Sequence, residues 1–91
     1  MEIEYSSRFK KDYRREIKDS QNSDLPTLLT DVLGFLTTQQ FLPASYKEHP
    51  LIGNWVGYFE CHLKPDLLLI YKVIDGEVVK LIRLGSHSDL F

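Results

Sequence analysis

The chain has 91 residues, 43% of them hydrophobic and 26% charged, a composition typical of one folded domain over residues 1–91 and not of a disordered chain. A single cysteine excludes an intrachain disulfide and favours a reducing compartment, and no apolar run is long enough for a signal peptide or a membrane span. We therefore expect a cytoplasmic protein without a membrane partner. The net charge of −2 does not by itself indicate a nucleic-acid binder.

The first half of the chain predicts one short strand followed by two helices. The segment EIEY (residues 2–5) has strand character, and the two serines after it suit the start of a helix. In that first helix the apolar residues Phe9, Tyr13 and Ile17 recur every four positions. A second helix follows the polar segment SQNSD and has an inward face of six apolar residues: Leu25, Leu28, Leu29, Val32, Leu33 and Leu36.

The first helix also carries the main concentration of positive charge. Residues 7–18 contain six basic residues against two acidic ones, and the basic residues include the neighbours Arg14 and Arg15. Such a helix can contact phosphate groups, or its charges can simply keep an exposed face solvated. The pattern leaves both interpretations open.

The second half of the chain changes to the patterns of a sheet. Three strands are predicted, over residues 55–63, 66–74 and 77–84. A Lys-Pro turn joins the first two strands and an Asp-Gly hairpin joins the last two, while the apolar middle strand is expected at the centre of the sheet. The order β-α-α-β-β-β predicts an α+β domain, with a twisted, mainly antiparallel sheet and two N-terminal helices packed on one side.

Cys61 and His62 are adjacent in the first of these strands and therefore point to opposite faces. Cys61 shares its predicted face with Trp55 and Phe59, and all three are expected in the core. Because neighbours on opposite faces cannot readily bind one ion together, the pattern disfavours a zinc site. No metal and no cofactor are predicted.

Five residues that could act on a phosphate ester are predicted to converge at one edge of the sheet. They lie at strand ends or in the adjoining loops: His49, His62, Asp66, Arg83 and His87. Two acid–base groups and a cation suit cleavage of a phosphodiester through the ribose 2′-hydroxyl without a metal ion. A hydrolase of another phosphate ester would need similar groups. Structural interpretations also exist, such as a turn role for Asp66 or a pair between Arg83 and either Glu60 or Glu77.

Four motifs follow one another in the second half of the chain. They are HPL from His49, G-x-W from Gly53, G-Y-x-x-x-H-x-x-P-D from Gly57 to Asp66, and R-L-G-S-H-S-x-L-F from Arg83 to Phe91. This order resembles the YafQ branch of the RelE superfamily of bacterial type II toxins, closely over residues 46–91 and loosely over the whole chain. The resemblance implies a small RelE-like domain and an endoribonuclease that cuts messenger RNA on translating ribosomes.

The resemblance also implies functional residues and partners. The implied catalytic set is His49, His62, Asp66 and His87, with Arg83 binding phosphate and stabilising charge, and Phe91 stacking on a base. Lys64, in the turn between two catalytic residues, and Arg14 and Arg15 are predicted to contact RNA or the ribosome. The implied partners are a DinJ-like antitoxin and the ribosome with its messenger RNA, while operator DNA is contacted only through the antitoxin complex.

Two departures from the family pattern keep other functions open. Leu67 stands directly after Pro65-Asp66, where some relatives carry an aromatic residue, and the chain is slightly acidic where most such toxins are basic. One alternative is a ParE-like growth inhibitor that binds a topoisomerase without nuclease chemistry. Another is a degenerate toxin that acts only as an antitoxin-binding corepressor.

Overall fold

The computed structural model describes all 91 residues. Its regular elements are β1 (Glu2–Tyr5), α1 (Ser7–Glu16), α2 (Leu25–Thr37), β2 (His49–Pro50), β3 (Phe59–Lys64), β4 (Leu67–Ile74), β5 (Val78–Gly85) and α3 (His87–Leu90). The five strands form one sheet in the order β1-β5-β4-β3-β2, in which only β1 and β5 are parallel. The predicted α+β fold is confirmed, and the short strand β2 is an addition to it. None of the helices is long and apolar enough to cross a membrane.

The two long helices cover one face of the sheet, as predicted. Ser6 starts α1, since its side chain accepts a hydrogen bond from the Phe9 N–H at 2.9 Å, and it also donates to the Ile82 carbonyl oxygen of β5 at 2.7 Å. Pro26 lies in the first turn of α2, where its missing N–H costs little. The main core joins both helices to the sheet through thirteen buried residues: Phe9, Leu25, Leu29, Val32, Leu36, Cys61, Leu63, Leu67, Leu69, Tyr71, Val79, Leu81 and Leu84.

Strand β4 occupies the centre of the sheet and is buried on both faces from Leu67 to Tyr71. Its side chains alternate between the main core and a small second cluster formed by Leu68, Ile70 and Leu90 on the opposite face. Only the four-residue helix α3 and the loop before β3 pack against that second face. The second face therefore has room for polar side chains close to the core.

Strand β3 begins at Phe59, so the prediction of a strand from residue 55 is wrong in its first four residues. Residues 53–55 form a single 3₁₀ turn, and Gly53 and Gly57 have positive φ angles of 67° and 94°, which break an extended strand. Trp55 consequently packs against the small cluster on the second face. The prediction that Trp55 shares the face of Cys61 is therefore also wrong, whereas Cys61 is fully buried in the main core.

Strand β5 contains a bulge close to the end that carries functional residues. Tyr71 pairs with Leu81 and Ile70 with Arg83, which leaves Ile82 as the extra residue. Because of this insertion, Leu81 and Leu84 both belong to the main core although they are three positions apart. Regular alternation read from the sequence gives no warning of this irregularity.

Candidate active site

Two histidines and a glutamate meet on the second face of the sheet. His49 of β2 lies directly opposite Glu60 of β3, and its Nε2 is 3.1 Å from the Glu60 carboxylate oxygen Oε2. His62 follows Glu60 by two positions and so shares its face. The ligand atoms of the three side chains all lie within 4.8 Å of one another. Glu60 is buried and His49 is half exposed, so the carboxylate anchors a ring that substrate can reach.

Both ring nitrogens of His49 face oxygen acceptors. Nε2 faces Glu60, and Nδ1 is 3.3 Å from the Pro50 carbonyl oxygen. A ring nitrogen that carries a proton can donate it to the oxygen that it faces. The approach of β2 to this position is held by the Tyr71 hydroxyl, which donates a hydrogen bond to the Glu48 carboxylate, and burial raises the pKa of Glu48.

His62 is oriented by the turn that follows it. Its Nδ1 lies 3.3 Å from the Pro65 carbonyl oxygen. A proton on Nδ1 makes this contact a hydrogen bond and leaves the Nε2 lone pair available to accept a proton from substrate. The turn therefore selects the tautomer that a general base requires.

Asp66 joins the same turn to the C-terminal helix. Its Oδ1 accepts a hydrogen bond from the His87 backbone N–H at 3.1 Å, at the first residue of α3. Ser86 and Asp89 complete the start of α3 with reciprocal side-chain hydrogen bonds, and those bonds lower the pKa of Asp89. The His87 ring contacts Phe91, with ring centroids 5.2 Å apart. Asp66, His87 and Phe91 thus form one unit, linked to His62 through Pro65.

Arg83 is paired with Asp12 of α1, and with neither Glu60 nor Glu77. Its Nε donates to Asp12 Oδ2 at 2.8 Å and its Nη2 approaches Oδ1 at 3.4 Å, whereas Nη1 has no partner within the chain. Asp12 also accepts from the Leu84 N–H and from Arg15. Burial by itself would raise the pKa of Asp12, but these hydrogen bonds and the charges of Arg83 and Arg15 outweigh it and hold the pKa below its usual range.

Of the three basic residues predicted to contact RNA or the ribosome, two already form ion pairs and hydrogen bonds within the chain. The Lys64 ammonium lies 2.8 Å from Asp24 and 3.1 Å from the Asn22 side chain, so it holds the connection between α1 and α2. Arg15 donates to the Leu84 carbonyl oxygen at 3.0 Å and pairs with Asp12. These contacts argue against substrate roles for Lys64 and Arg15, while Arg14 is exposed on α1 and makes no ion pair.

Known proteins match this chain over its whole length. The family model described as a bacterial toxin of type II toxin–antitoxin system, YafQ, matches residues 1–91. The mRNA interferase toxin YafQ of Escherichia coli K12 is 37% identical over 90 residues, which cover 99% of this chain and 95% of that protein. The chain belongs to the YafQ family of toxins.

Solved structures of YafQ-family and related toxins share the fold. The E. coli DinJ–YafQ complex matches with a TM-score of 0.84 and 37% identity, covering 99% of this chain and 97% of that one. A metal-bound toxin from Helicobacter pylori matches with a TM-score of 0.89 and 46% identity, covering 100% and 99%. At these identities the similarity indicates a shared family as well as a shared fold, in agreement with the match to the family model.

In this YafQ-family chain the donor set of His49, Glu60 and His62 fits a transition-metal ion. Two imidazole nitrogens and one carboxylate oxygen within 4.8 Å of one another are ligands that Zn²⁺ accepts. Cys61 takes no part, because it is buried in the main core and burial, with the nearby Glu48 and Glu60, raises its pKa to about 12. The sequence argument against a shared Cys61–His62 site thus holds, but a different set of residues comes together.

Two residues of the YafQ-family site were missed by sequence reasoning. Glu60 precedes His62 by two positions on the same strand face, which is a local signal for its proximity. Asp12 stands among six basic residues and three positions after the core residue Phe9, which marks it as unusual but does not identify its partner. Each of the two acids contacts one of the predicted site residues, His49 in the case of Glu60 and Arg83 in the case of Asp12.

Proposed function

We propose that this YafQ-family toxin is an endoribonuclease that cleaves messenger RNA on translating ribosomes, by general acid–base catalysis without a metal ion. The observation that carries the proposal is the meeting of His49, Glu60 and His62 beside the turn that ties Asp66 to His87. Proton-transfer groups on both sides of a turn are what cleavage through a ribose hydroxyl requires. The E. coli relative carries the name mRNA interferase, which supports the choice of substrate.

Proton transfer in the proposed reaction begins at His62. With its Nδ1 proton donated to the Pro65 carbonyl oxygen, its Nε2 removes the proton of a ribose 2′-hydroxyl. The 2′-oxygen attacks the adjacent phosphorus, and the bond from phosphorus to the 5′-oxygen breaks. A protonated His87 donates its proton to that leaving oxygen. The products are a 2′,3′-cyclic phosphate and a 5′-hydroxyl.

Two cations stabilise the negative charge that collects on the phosphate oxygens. The His49 imidazolium is held by the Glu60 carboxylate, and the free Nη1 of Arg83 faces away from the Asp12 pair. Asp12 acts through Arg83 and Asp66 acts through the His87 backbone, so both are positioning residues in this scheme.

A transition-metal ion at the histidine cluster would oppose this chemistry. Such an ion takes the lone pairs of His49 and His62, and a His62 bound to metal cannot accept the 2′-hydroxyl proton. The H. pylori relative has been solved as a metal-bound toxin. We therefore propose that metal binding at His49, Glu60 and His62 inhibits the protein and plays no part in the reaction.

The proposed partners follow from the relatives and from the open surfaces. The E. coli toxin forms a complex with DinJ, so we propose a DinJ-like antitoxin for this chain and contact with operator DNA only through that complex. We propose that Arg14 contributes to ribosome docking and that Lys64 and Arg15 have structural roles. A substrate on translating ribosomes places the protein in the cytoplasm. We do not propose the topoisomerase-binding or corepressor alternatives, since a binder needs no proton-transfer groups.

The ends of the cleaved RNA test the proposed reaction. In a translation mixture supplied with one messenger RNA, we expect 5′-hydroxyl and 2′,3′-cyclic phosphate ends, and no cleavage at a codon whose reactive ribose carries a 2′-deoxy substitution. His62→Gln and His87→Gln should each lower the single-turnover rate by about 10²–10⁴-fold. Ends with a 5′-phosphate, or cleavage at the deoxy position, would contradict attack by the 2′-oxygen.

A further inference from the structure

A row of aromatic side chains, here called the aromatic track, extends from His87 at the proposed site across the second face of the sheet through Phe91, Trp55 and Tyr58. The His87 ring contacts the Phe91 ring. The ring centroids of Phe91 and Trp55 are 6.2 Å apart, and those of Trp55 and Tyr58 are 5.3 Å apart in an edge-to-face arrangement. Trp55 and Tyr58 pack against the small cluster that includes Leu90 of α3. Their contact with His87, through Phe91, places these rings next to the proposed site.

The upper surface of the track is open. Phe91 is 51% exposed, and the neighbouring Ile52 and Val56 are 85% and 69% exposed. Trp55 and Tyr58 pack against the small cluster and are only half buried. Leu67, where some relatives carry an aromatic residue, is only 3% exposed in the main core and therefore cannot stack on a base. Exposed rings near the site are thus supplied by the track and not by the position after Asp66.

Two lysines, Lys72 and Lys80, add positive charge at the Tyr58 end of the aromatic track. The Lys72 ammonium lies 5.0 Å from the centre of the Tyr58 ring, and Lys72 is directly opposite Lys80 in the pairing of β4 with β5. Like charges facing each other across a sheet are unfavourable, and neither lysine forms an ion pair within the chain, although Glu4 lies beside Lys80 in register. An anionic ligand would relieve this repulsion.

We propose that Trp55 and Tyr58 extend the base stacking expected of Phe91 into a subsite for unpaired nucleobases next to the cleaved bond, and that Lys72 and Lys80 bind the phosphates of that segment. The ligand is single-stranded RNA, because stacking rings beside a basic strip match its alternating bases and phosphates. The subsite rests on the proposed nuclease function and extends it by assigning where the flanking nucleotides lie.

Substitutions at Trp55 separate stacking from packing. Trp55→Phe keeps an aromatic face and Trp55→Leu keeps only apolar volume, so we expect Trp55→Leu to raise KM for ribosome-bound message about tenfold and Trp55→Phe to change it little. Lys72→Ala should raise KM in the same way and Lys72→Arg should restore it. The value of kcat should be retained in each case, whereas partial unfolding would lower kcat through a smaller active fraction.

Each outcome of this comparison has one meaning. Equal KM values for the wild type and all four variants overturn the subsite and leave the proposed nuclease intact. A wild type that cuts no message contradicts the proposed function, and the subsite with it. Unchanged KM with weaker binding of the antitoxin by Trp55→Leu assigns the surface to the antitoxin and also overturns the proposal. If thermal melting shows that Trp55→Leu is unfolded, the Lys72 pair decides.

Discussion

At the scale of single residues, two buried acids set the geometry of the cations around the proposed site. Asp12 receives hydrogen bonds from Arg83, Arg15 and the Leu84 backbone, and Glu60 pairs with His49. Acids that accept several charge-assisted hydrogen bonds fix their partners more firmly than a single neutral bond does. The proposed catalytic groups are therefore positioned partly by residues to which we assign no substrate contact.

Removing the Asp12 carboxylate should destabilise the fold. Asp12→Ala leaves Arg83 partly buried without its partner, so we expect the free energy of unfolding at pH 7 to fall by about 3 kcal/mol in urea denaturation. Glu16→Ala, which removes an acid from the same helix with only an exposed contact to Arg15, should cost about 0.5 kcal/mol. A loss at Asp12 no larger than that control would contradict a structural role for the pair.

The same carboxylate should give the stability a pH dependence. Because its pKa is lower in the folded chain than in the unfolded chain, its contribution is complete above the unfolded value, about 3.9, and is lost as pH falls through the folded value. We expect the free energy of unfolding of the wild type to drop below about pH 4. Asp12→Asn should be less stable at pH 7 but should lose less on acidification, and parallel curves would rule this contribution out.

Metal binding at the histidine cluster should raise the melting temperature and block activity. A ligand that binds only the folded state at 100 times its Kd stabilises that state by about 2.7 kcal/mol. We expect Zn²⁺ to raise the melting temperature of the wild type and of His87→Gln, but not of Glu60→Gln or His62→Gln. Toxin that is stripped of metal with EDTA, and freed of EDTA before it is added to the translation mixture, should cleave as well as untreated toxin. Lower cleavage by the stripped toxin, restored by added Zn²⁺, would contradict the metal-independent reaction.

Most of the predicted site residues can be identified from sequence motifs, whereas some of the residues that they contact cannot. His49, His62, Asp66 and His87 lie in ordered motifs, so their meeting at two neighbouring contact points could be anticipated from strand pairing. Asp12 is 71 positions from Arg83, and only the packing of α1 against β5 brings them together. No local pattern encodes such a contact, which is why Arg83 was assigned possible partners within the sheet.

At the scale of elements, the helices and central strands follow their sequence patterns, and the exceptions involve backbone irregularities. The alternation of residues 55–63 suggested one strand, but Gly53 and Gly57 with positive φ end the extended conformation before Phe59. A period-two pattern reports which side chains differ in polarity and does not detect a change in backbone direction. The bulge at Ile82 could not be predicted either, because it is also a backbone irregularity that the polarity pattern does not record.

Two glycines should respond in opposite ways to alanine. Gly57 has a φ angle of 94°, which an L side chain rarely adopts, so Gly57→Ala should lower the free energy of unfolding by about 1–2 kcal/mol. Gly34 lies inside α2 and has open space where the alanine methyl group would lie, so Gly34→Ala should raise stability by about 0.5–1 kcal/mol. Denaturant titrations of both variants check this, and equal effects would contradict the assigned backbone geometry.

At the scale of the whole molecule, charge is divided between surfaces while the net value stays at −2. The exposed side of α1 is basic, and the second face of the sheet carries Lys72 and Lys80 beyond the histidine cluster. A net charge of this size gives little long-range attraction to RNA, so under the proposed function we expect local basic surfaces to guide the toxin to the ribosome.

Reversing the exposed charge of Arg14 should weaken ribosome binding without harming the fold. Glu at position 14 lies one turn after Lys10 within α1, so Arg14→Glu replaces a like-charge pair with an opposite-charge pair and should remain folded. We expect the fraction of toxin that cosediments with ribosomes at low salt to fall about fivefold. Equal binding by wild type and Arg14→Glu would remove α1 from the docking surface.

Primer extension shows whether this toxin cuts messenger RNA on translating ribosomes, as we propose. One messenger RNA is incubated with the purified protein, with and without translating ribosomes, and the cut positions are mapped. We expect cuts in codon register that appear only when ribosomes translate the message. Cuts on free RNA as well would contradict ribosome dependence. No cuts in either condition, by a protein that still arrests growth, would contradict the nuclease itself and favour a topoisomerase-binding inhibitor.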